Sequence, residues 1–297
     1  MIVRSRLKAI QQLAGSTLAE NGLLSSLPVR PKDFARSIGI NVIPFQPPQR
    51  DISGCLMVER GAFGIFYSTA IQNEGFQNFT VAHELGHYFI DDHPSAVLVD
   101  GKHLSRSGYI SKDRYEREAD AFAAALLMPW KLIDPVIRRS APGFEAIKAL
   151  SGACESSLVA SAIRYCEVTT ECVAAIVSHR GEVEFMTASE SFKQLPGIDW
   201  LRKREKIPQD VPTHGLGNDQ KWVGRCEVAL EGSLLSQWFP NTAPQEVEED
   251  VVGLGSYDRT LTVLVTEAAS NGDDDEAQEP ADDYIDRWKE GRFRSRN

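Results

Sequence analysis

Apolar residues recur at helical spacing between Ser5 and Glu20, where Leu7, Ile10, Leu13 and Leu18 predict a first helix. Pro28 and Pro31 lead into a short helix over Lys32–Ser37 that Gly39 stops, and Asn41-Val42-Ile43-Pro44-Phe45 reads as a strand. Cys55–Val58 and Phe63–Tyr67, joined at Arg60-Gly61, predict a hairpin. As the strand just ahead of the next helix, its second arm can edge a cleft and hold an extended peptide by main-chain hydrogen bonds. That helix is expected over Phe79–Asp91, with Pro94 beyond it, and Pro94–Ser111 reads as loop. A strong Ala- and Leu-rich helix follows over Lys112–Met128, ended by Pro129. Short helices broken by Pro135, Pro142-Gly143 and Gly152 continue to about Cys166.

From Thr170 the pattern turns to strands. Cys172–Val177 and Val183–Met186 flank a turn at His179-Arg180-Gly181, and Trp222–Leu230 and Leu261–Val265 are further candidates. The acidic run Asn271–Glu276 predicts a solvated loop and Asp282–Lys289 a short helix. The expectation is an α+β protein, with one domain over 1–168 and a smaller mixed module over 169–297 that regulates or recognises substrate. Asp33–Ile40 and Phe144–Arg164 have the outline of a helix-turn-helix. The first runs into a strand, and the second has few basic residues, so it is expected to pack against the helices over 79–91 and 112–128.

Composition narrows the function. With 32 Lys and Arg against 42 Asp and Glu, the charge of −10 disfavours direct binding of nucleic acid. No apolar run approaches the roughly 18 residues of a membrane span. Five scattered cysteines without a C-x-x-C pair, and no apolar leader, lead us to expect a cytoplasmic protein.

Histidine is scarce, six in 297 residues, yet two stand four apart in His83-Glu84-Leu85-Gly86-His87. At about 3.6 residues per turn both imidazoles share one helix face and can close on one zinc ion. Glu84, one step round, can reach a water held there. A catalytic zinc takes a third protein ligand and keeps one position for water. His93 has the spacing of the metzincin motif, but Ile90 stands where that motif needs a glycine to turn the chain, and Met128, the candidate Met-turn, closes a helix. The favoured ligand is Glu116, because Asp120 lies one turn on and can accept from a ligating imidazole. Glu118, about 200° round the helix from Glu116, is the alternative.

His83-Glu84-Leu85-Gly86-His87, followed by Glu116-x-Glu118-Ala119-Asp120-x-Phe122-Ala123-Ala124-x-Leu126-Leu127-Met128-Pro129, resembles the ImmA/IrrE family of zinc metallopeptidases. Phe79-Thr80-Val81-Ala82 and Ile52-Ser53-Gly54 are also similar, and the resemblance spans about residues 5–180. It implies a minimal zincin-like, gluzincin-type fold, with His83, His87 and Glu116 on one Zn2+ (Mn2+ the other candidate) and Glu84 catalytic. Asp120 stands where many members have Asn, and either can accept from a histidine. Relatives are cytoplasmic, and several are similar in cleaving a helix-turn-helix repressor to release mobile-element or stress-response genes. Many carry a fused N-terminal helix-turn-helix for which this chain has no room, so a separately encoded protein substrate is expected. Zinc brings the pKa of water to about 7, Glu84 would move the proton to the leaving amine, and His103, Tyr109 or Tyr115 could polarise the scissile carbonyl. A binding protein with a structural metal, cutting nothing, is the competing expectation.

Overall fold

The computed structural model describes residues 2–46, 48, 51–105 and 113–268. Tyr109, Lys112, the acidic run Asn271–Glu276 and the helix expected over Asp282–Lys289 lie outside the described residues. Two compact units divide the described residues: one holds those up to Pro135 with Ala153–Ser156, the other Val136–Gly152 and those from Ser157 onward.

The first unit opens with α1 (Ile2–Glu20), α2 (Pro31–Ser37) and the strands β1 (Asn41–Pro44), β2 (Gly54–Glu59) and β3 (Ala62–Tyr67). Next come α3 (Glu74–Phe89), α4 (His93–Val97), β4 (Lys102–Ser105), α5 (Arg114–Leu127) and the start of α6 (Trp130–Arg138). The sheet order is β1-β3-β2-β4, with β1 parallel to β3 and the other pairs antiparallel. This corrects the edge expected of the hairpin. Because β1 pairs along its outer side, β3 is interior, and β4 is the edge that follows the His-Glu-x-x-His helix.

Capping sets where the two central helices start. Asn73 accepts from the Phe76 amide at 2.9 Å, so α3 begins five residues ahead of the expected Phe79. Asp113 accepts from the Tyr115 amide at 2.8 Å and fixes the start of α5. Met128 is the C-cap of α5, buried, and forms no Met-turn. The helices approach closely at Gly86, where a Cβ would stand 3.0 Å from Ala119 Cα and 3.2 Å from Phe122 Cβ. Phe89 stacks on Phe122 at 5.9 Å and on Phe34 at 5.8 Å, tying α3 to α5 and to α2. Each such pair contributes about 0.5–1.5 kcal/mol beyond its burial. α1 packs along the same α5.

Pro135 lies inside α6 instead of breaking it, at the loss of one main-chain bond in a helix of 9 residues. The second unit then continues through α7 (Phe144–Cys154), α8 (Leu158–Val168), β5 (Cys172–His179), β6 (Glu182–Ala188) and α9 (Glu190–Lys193). α10 (Pro212–Asn218), α11 (Gln220–Gly224), β7 (Val228–Leu234), α12 (Leu235–Trp238), β8 (Glu246–Gly253) and β9 (Thr260–Thr266) complete it. Its sheet is antiparallel throughout, in the order β6-β5-β9-β8-β7, over a core that includes Ile176, Met186, Phe192, Trp238 and Phe239.

This unit begins well ahead of the expected boundary at 168/169, for a local reason. The Phe144 amide donates to Asp250 on β8 at 3.4 Å, and a Cβ on Gly143 would lie 2.7 Å from Val265 on β9. α8 packs on β5 and β6, which replaces the packing expected for Phe144–Arg164. Trp222 and Val223, expected in a strand, form α11, because the Asp219 side chain accepts from the Lys221 and Trp222 amides. β8 was hidden by its charges. Glu249 on it is wholly buried and accepts from the Thr213 amide and hydroxyl, Ser233 and Trp238 at 2.6–2.9 Å.

Candidate metal centre

α3 carries His83, Glu84 and His87 on its buried side, 4%, 0% and 0% exposed. α5 presents Glu116 and Asp120 to them, and β4 brings His103 from across the sheet. His83, His87, His103 and Glu116 each offer one ligand atom, and these atoms all lie within 4.8 Å of one another. His83 Nε2 is 3.1 Å from His87 Nε2 and 3.5 Å from Glu116 Oε2. Glu116 Oε1 is 3.3 Å from His87 Nε2 and 2.9 Å from His103 Nε2.

These separations fit a metal. Ligands about 2.0–2.1 Å from a tetrahedral ion stand roughly 3.3 Å apart, and nitrogen with carboxylate oxygen is a donor set zinc accepts. The ring tautomers agree. Asp120 Oδ1 lies 2.8 Å from His83 Nδ1, so that nitrogen carries a proton, and Nε2 turns its lone pair toward the cluster once its own proton is released. With His87 Nε2 facing it at 3.1 Å, two basic nitrogens converge on one point, an arrangement that calls for a cation.

The protein groups alone divide one proton between the pair. Burial works against charge on His83, but hydrogen bonds with Asp120 and Glu116 outweigh it and push that imidazole up to about 10. Burial dominates at His87 and lowers it to about 3, leaving a neutral ring. Burial also raises Glu116, yet the hydrogen bonds from His103, His83 and His87 hold its carboxyl far below the usual carboxylate range.

Glu84 sits beside the cluster in a cradle built from the sheet. Gly54 on β2 pairs with Ser105 on β4, and a Cβ at Gly54 would fall 2.5 Å from Glu84 Oε1 and 2.6 Å from Thr80 Cγ2. The missing side chain lets α3 approach β2, and the Ser105 hydroxyl donates to Glu84 Oε1 at 2.6 Å. The other oxygen, Oε2, is buried with no hydrogen-bond partner among the described residues. Burial raises the Glu84 pKa although His83 and His103 favour its charged form.

The remaining candidates lie elsewhere. His93 is buried behind His87, Nδ1 to Nδ1 at 3.1 Å, outside the cluster. Its Nε2 meets Glu118 at 3.0 Å, and Glu118 accepts from Arg6 at 2.7 and 2.8 Å. Asp92, His93 and Glu118 also converge, but the Arg6 and Arg114 guanidiniums already occupy the two carboxylates. Tyr115 does not serve as a donor to the cluster. One residue ahead of Glu116, it turns about 100° away and sets its ring edge-on to His93 at 5.1 Å. Of the two proposed donors among the described residues, His103 is thus the one brought to the centre. An open hollow of about 490 Å³ beside it is lined by Val97, Val99, Asp100, Lys102, His103 and Leu104.

Residues 35–158 match the family model Peptidase_M78, an IrrE N-terminal-like domain. No curated protein matches the chain. Among solved structures, a Mycobacterium tuberculosis transcriptional regulator is similar, with a TM-score of 0.57 and 11% identity over 87% of this chain and 76% of that one. At that identity the likeness is one of fold. Among the described residues, no helix is long and apolar enough to cross a membrane. The matched segment contains every residue of the cluster as well as Glu84, Gly54 and Ser105, and the model it matches is that of a peptidase family. The match of residues 35–158 to an IrrE N-terminal-like domain agrees with the ImmA/IrrE resemblance carried by the paired motifs on α3 and α5.

Proposed function

We propose that the protein is a zinc-dependent, gluzincin-type endopeptidase with a zincin-like catalytic domain, in which His83, His87 and Glu116 hold the ion and Glu84 is the general base. One observation carries the reading: a buried carboxylate, fixed through one oxygen only, stands beside a convergent His/Glu donor set. Zn2+ there, or Mn2+, would act as a Lewis acid and make water a nucleophile near neutral pH. Ser105 holds Glu84 Oε1, so Oε2 is the oxygen that takes the proton, and the raised pKa suits Glu84 to carry that proton to the leaving amine. His103 is placed to donate to the scissile carbonyl, and the β4 edge with its adjoining hollow offers room for an extended chain.

The substrate we infer is a protein, specifically a separately encoded helix-turn-helix repressor whose cleavage releases mobile-element or stress-response genes. The family resemblance supports this target, as does a fold shared with a protein called a transcriptional regulator. The charge of −10 argues against direct contact with nucleic acid, and the reaction would take place in the cytoplasm. His103 also favours a second reading. As a fourth protein donor it could close the coordination sphere and leave a structural metal in a binding protein.

The readings separate when the chain is incubated with the repressor encoded beside its gene, in Zn2+ or Mn2+. Cleavage at one position is expected, abolished by chelator and by Glu84→Gln, with metal binding by that variant unchanged. Stable binding without cleavage in either metal would establish the second reading.

A further inference from the structure

We propose that His93 is a positioning residue for His87, and that Glu118, held by Arg6 and Arg114, works through it to turn the His87 Nε2 lone pair toward the metal. The inference rests on the metal-centre reading above. His83 has a carboxylate directly on its Nδ1; His87 has a second imidazole in that place, with the carboxylate one ring further out.

The proton positions follow from the contacts in one direction only. Glu118 accepts from Arg6 Nε at 2.7 Å and Arg6 Nη2 at 2.8 Å and is ion-paired with Arg114 Nε at 3.0 Å, so it is ionised and can only accept. His93 Nε2, 3.0 Å from Glu118 Oε2, must therefore donate. His93 is wholly buried, and a neutral imidazole has a single N–H, so its Nδ1 must accept. His87 Nδ1, 3.1 Å away, then donates, and His87 Nε2 is left with its lone pair facing His83 and Glu116. The opposite tautomer would place a proton where the ion belongs. The ring of Tyr115, edge-on at 5.1 Å, holds the His93 plane for both bonds. Arg6 lies on α1, ahead of the matched segment 35–158, so the N-terminal helix takes part in the centre.

The test uses the full chain and Zn2+ titrated against a competing chelator, with Co2+ absorption reporting coordination. His93→Leu should weaken Zn2+ about 10–100-fold, as loss of a partner to a ligating histidine does. The same variant should shift the Co2+ visible bands. His93→Asn, whose amide oxygen restores an acceptor for His87, should recover most of the affinity. Should His93→Leu not fold, the tautomers can be read in the zinc-loaded wild type by long-range 1H–15N correlation. The relay requires the proton on Nδ1 of His87 and on Nε2 of His93. A proton on His93 Nδ1, or wild-type affinity in a folded His93→Leu, overturns the relay while leaving the metal centre standing. A wild-type chain that binds neither Zn2+ nor Mn2+ overturns both.

Discussion

At Gly54 one hydrogen atom decides where a carboxylate can stand. Gly54→Ala would place a methyl group 2.5 Å from Glu84 Oε1, and the side chain that yields is the flexible one. We expect this variant to bind metal as the wild type does while cleavage falls by about 10²-fold, the cost of misplacing a reacting group by about 1 Å. Fluorescent-peptide kinetics and a parallel metal titration would check it; equal activity would show that Glu84 tolerates displacement. His103→Ala separates its two possible roles. As a donor to the carbonyl, its loss should lower kcat about 10²–10³-fold with Zn2+ affinity unchanged, whereas a fall in affinity would mark it as a ligand. The site was legible where its geometry is local. His83 with His87, and Glu116 with Asp120, lie four apart on single helices. Ser105 and His103 reach the centre through the pairing of β4 with β2, and no spacing in the sequence encodes that pairing.

At the scale of elements, Gly86 sets the distance between the two helices that carry the centre. Gly86→Val should cost about 1–3 kcal/mol, because Ala119 backbone atoms at 3.0–3.1 Å cannot yield as a side-chain tip can. Denaturant melts would measure the cost. Zn2+ affinity should fall in parallel, since Glu116 would be carried away from His83 and His87. α1, α2, α3, α5, the hairpin β2–β3 and the pair β5–β6 could be read from periodicity because their apolar faces are continuous, whereas α4 and β4 occupy the stretch that was expected to be loop. α11 and β8 could not. Trp222 and Val223 have strand propensity, but Asp219 supplies a helix cap, and a backbone bond satisfied locally prevails over propensity. In β8 the acidic residues break the alternation, and burial of Glu249 becomes tolerable only when four donors from other elements surround it.

For the whole molecule, metal binding and stability are linked through protons. His83, held up to about 10 by Asp120 and Glu116 against burial, is protonated at neutral pH and must release that proton to bind metal. Apparent Zn2+ affinity should therefore rise with pH across the neutral range and fall on acidification, a trend that calorimetry in buffers of different ionisation enthalpy would resolve. Free ion at about 100-fold over Kd should stabilise the fold by about 2.7 kcal/mol, visible as a higher Tm that chelator reverses. In the absence of metal the raised His83 contributes stability that is fully present below its unfolded value of about 6.5 and is lost as pH rises through about 10.

Arg6 has a practical bearing on how this chain is dissected. A recombinant fragment trimmed to residues 35–158 would retain each metal-facing side chain, yet strip Glu118 of its bidentate guanidinium partner and bare the flank of α5 on which α1 lies. Poor expression or feeble loading of such a fragment would reflect the chosen cut site, and cloning should start upstream of Arg6.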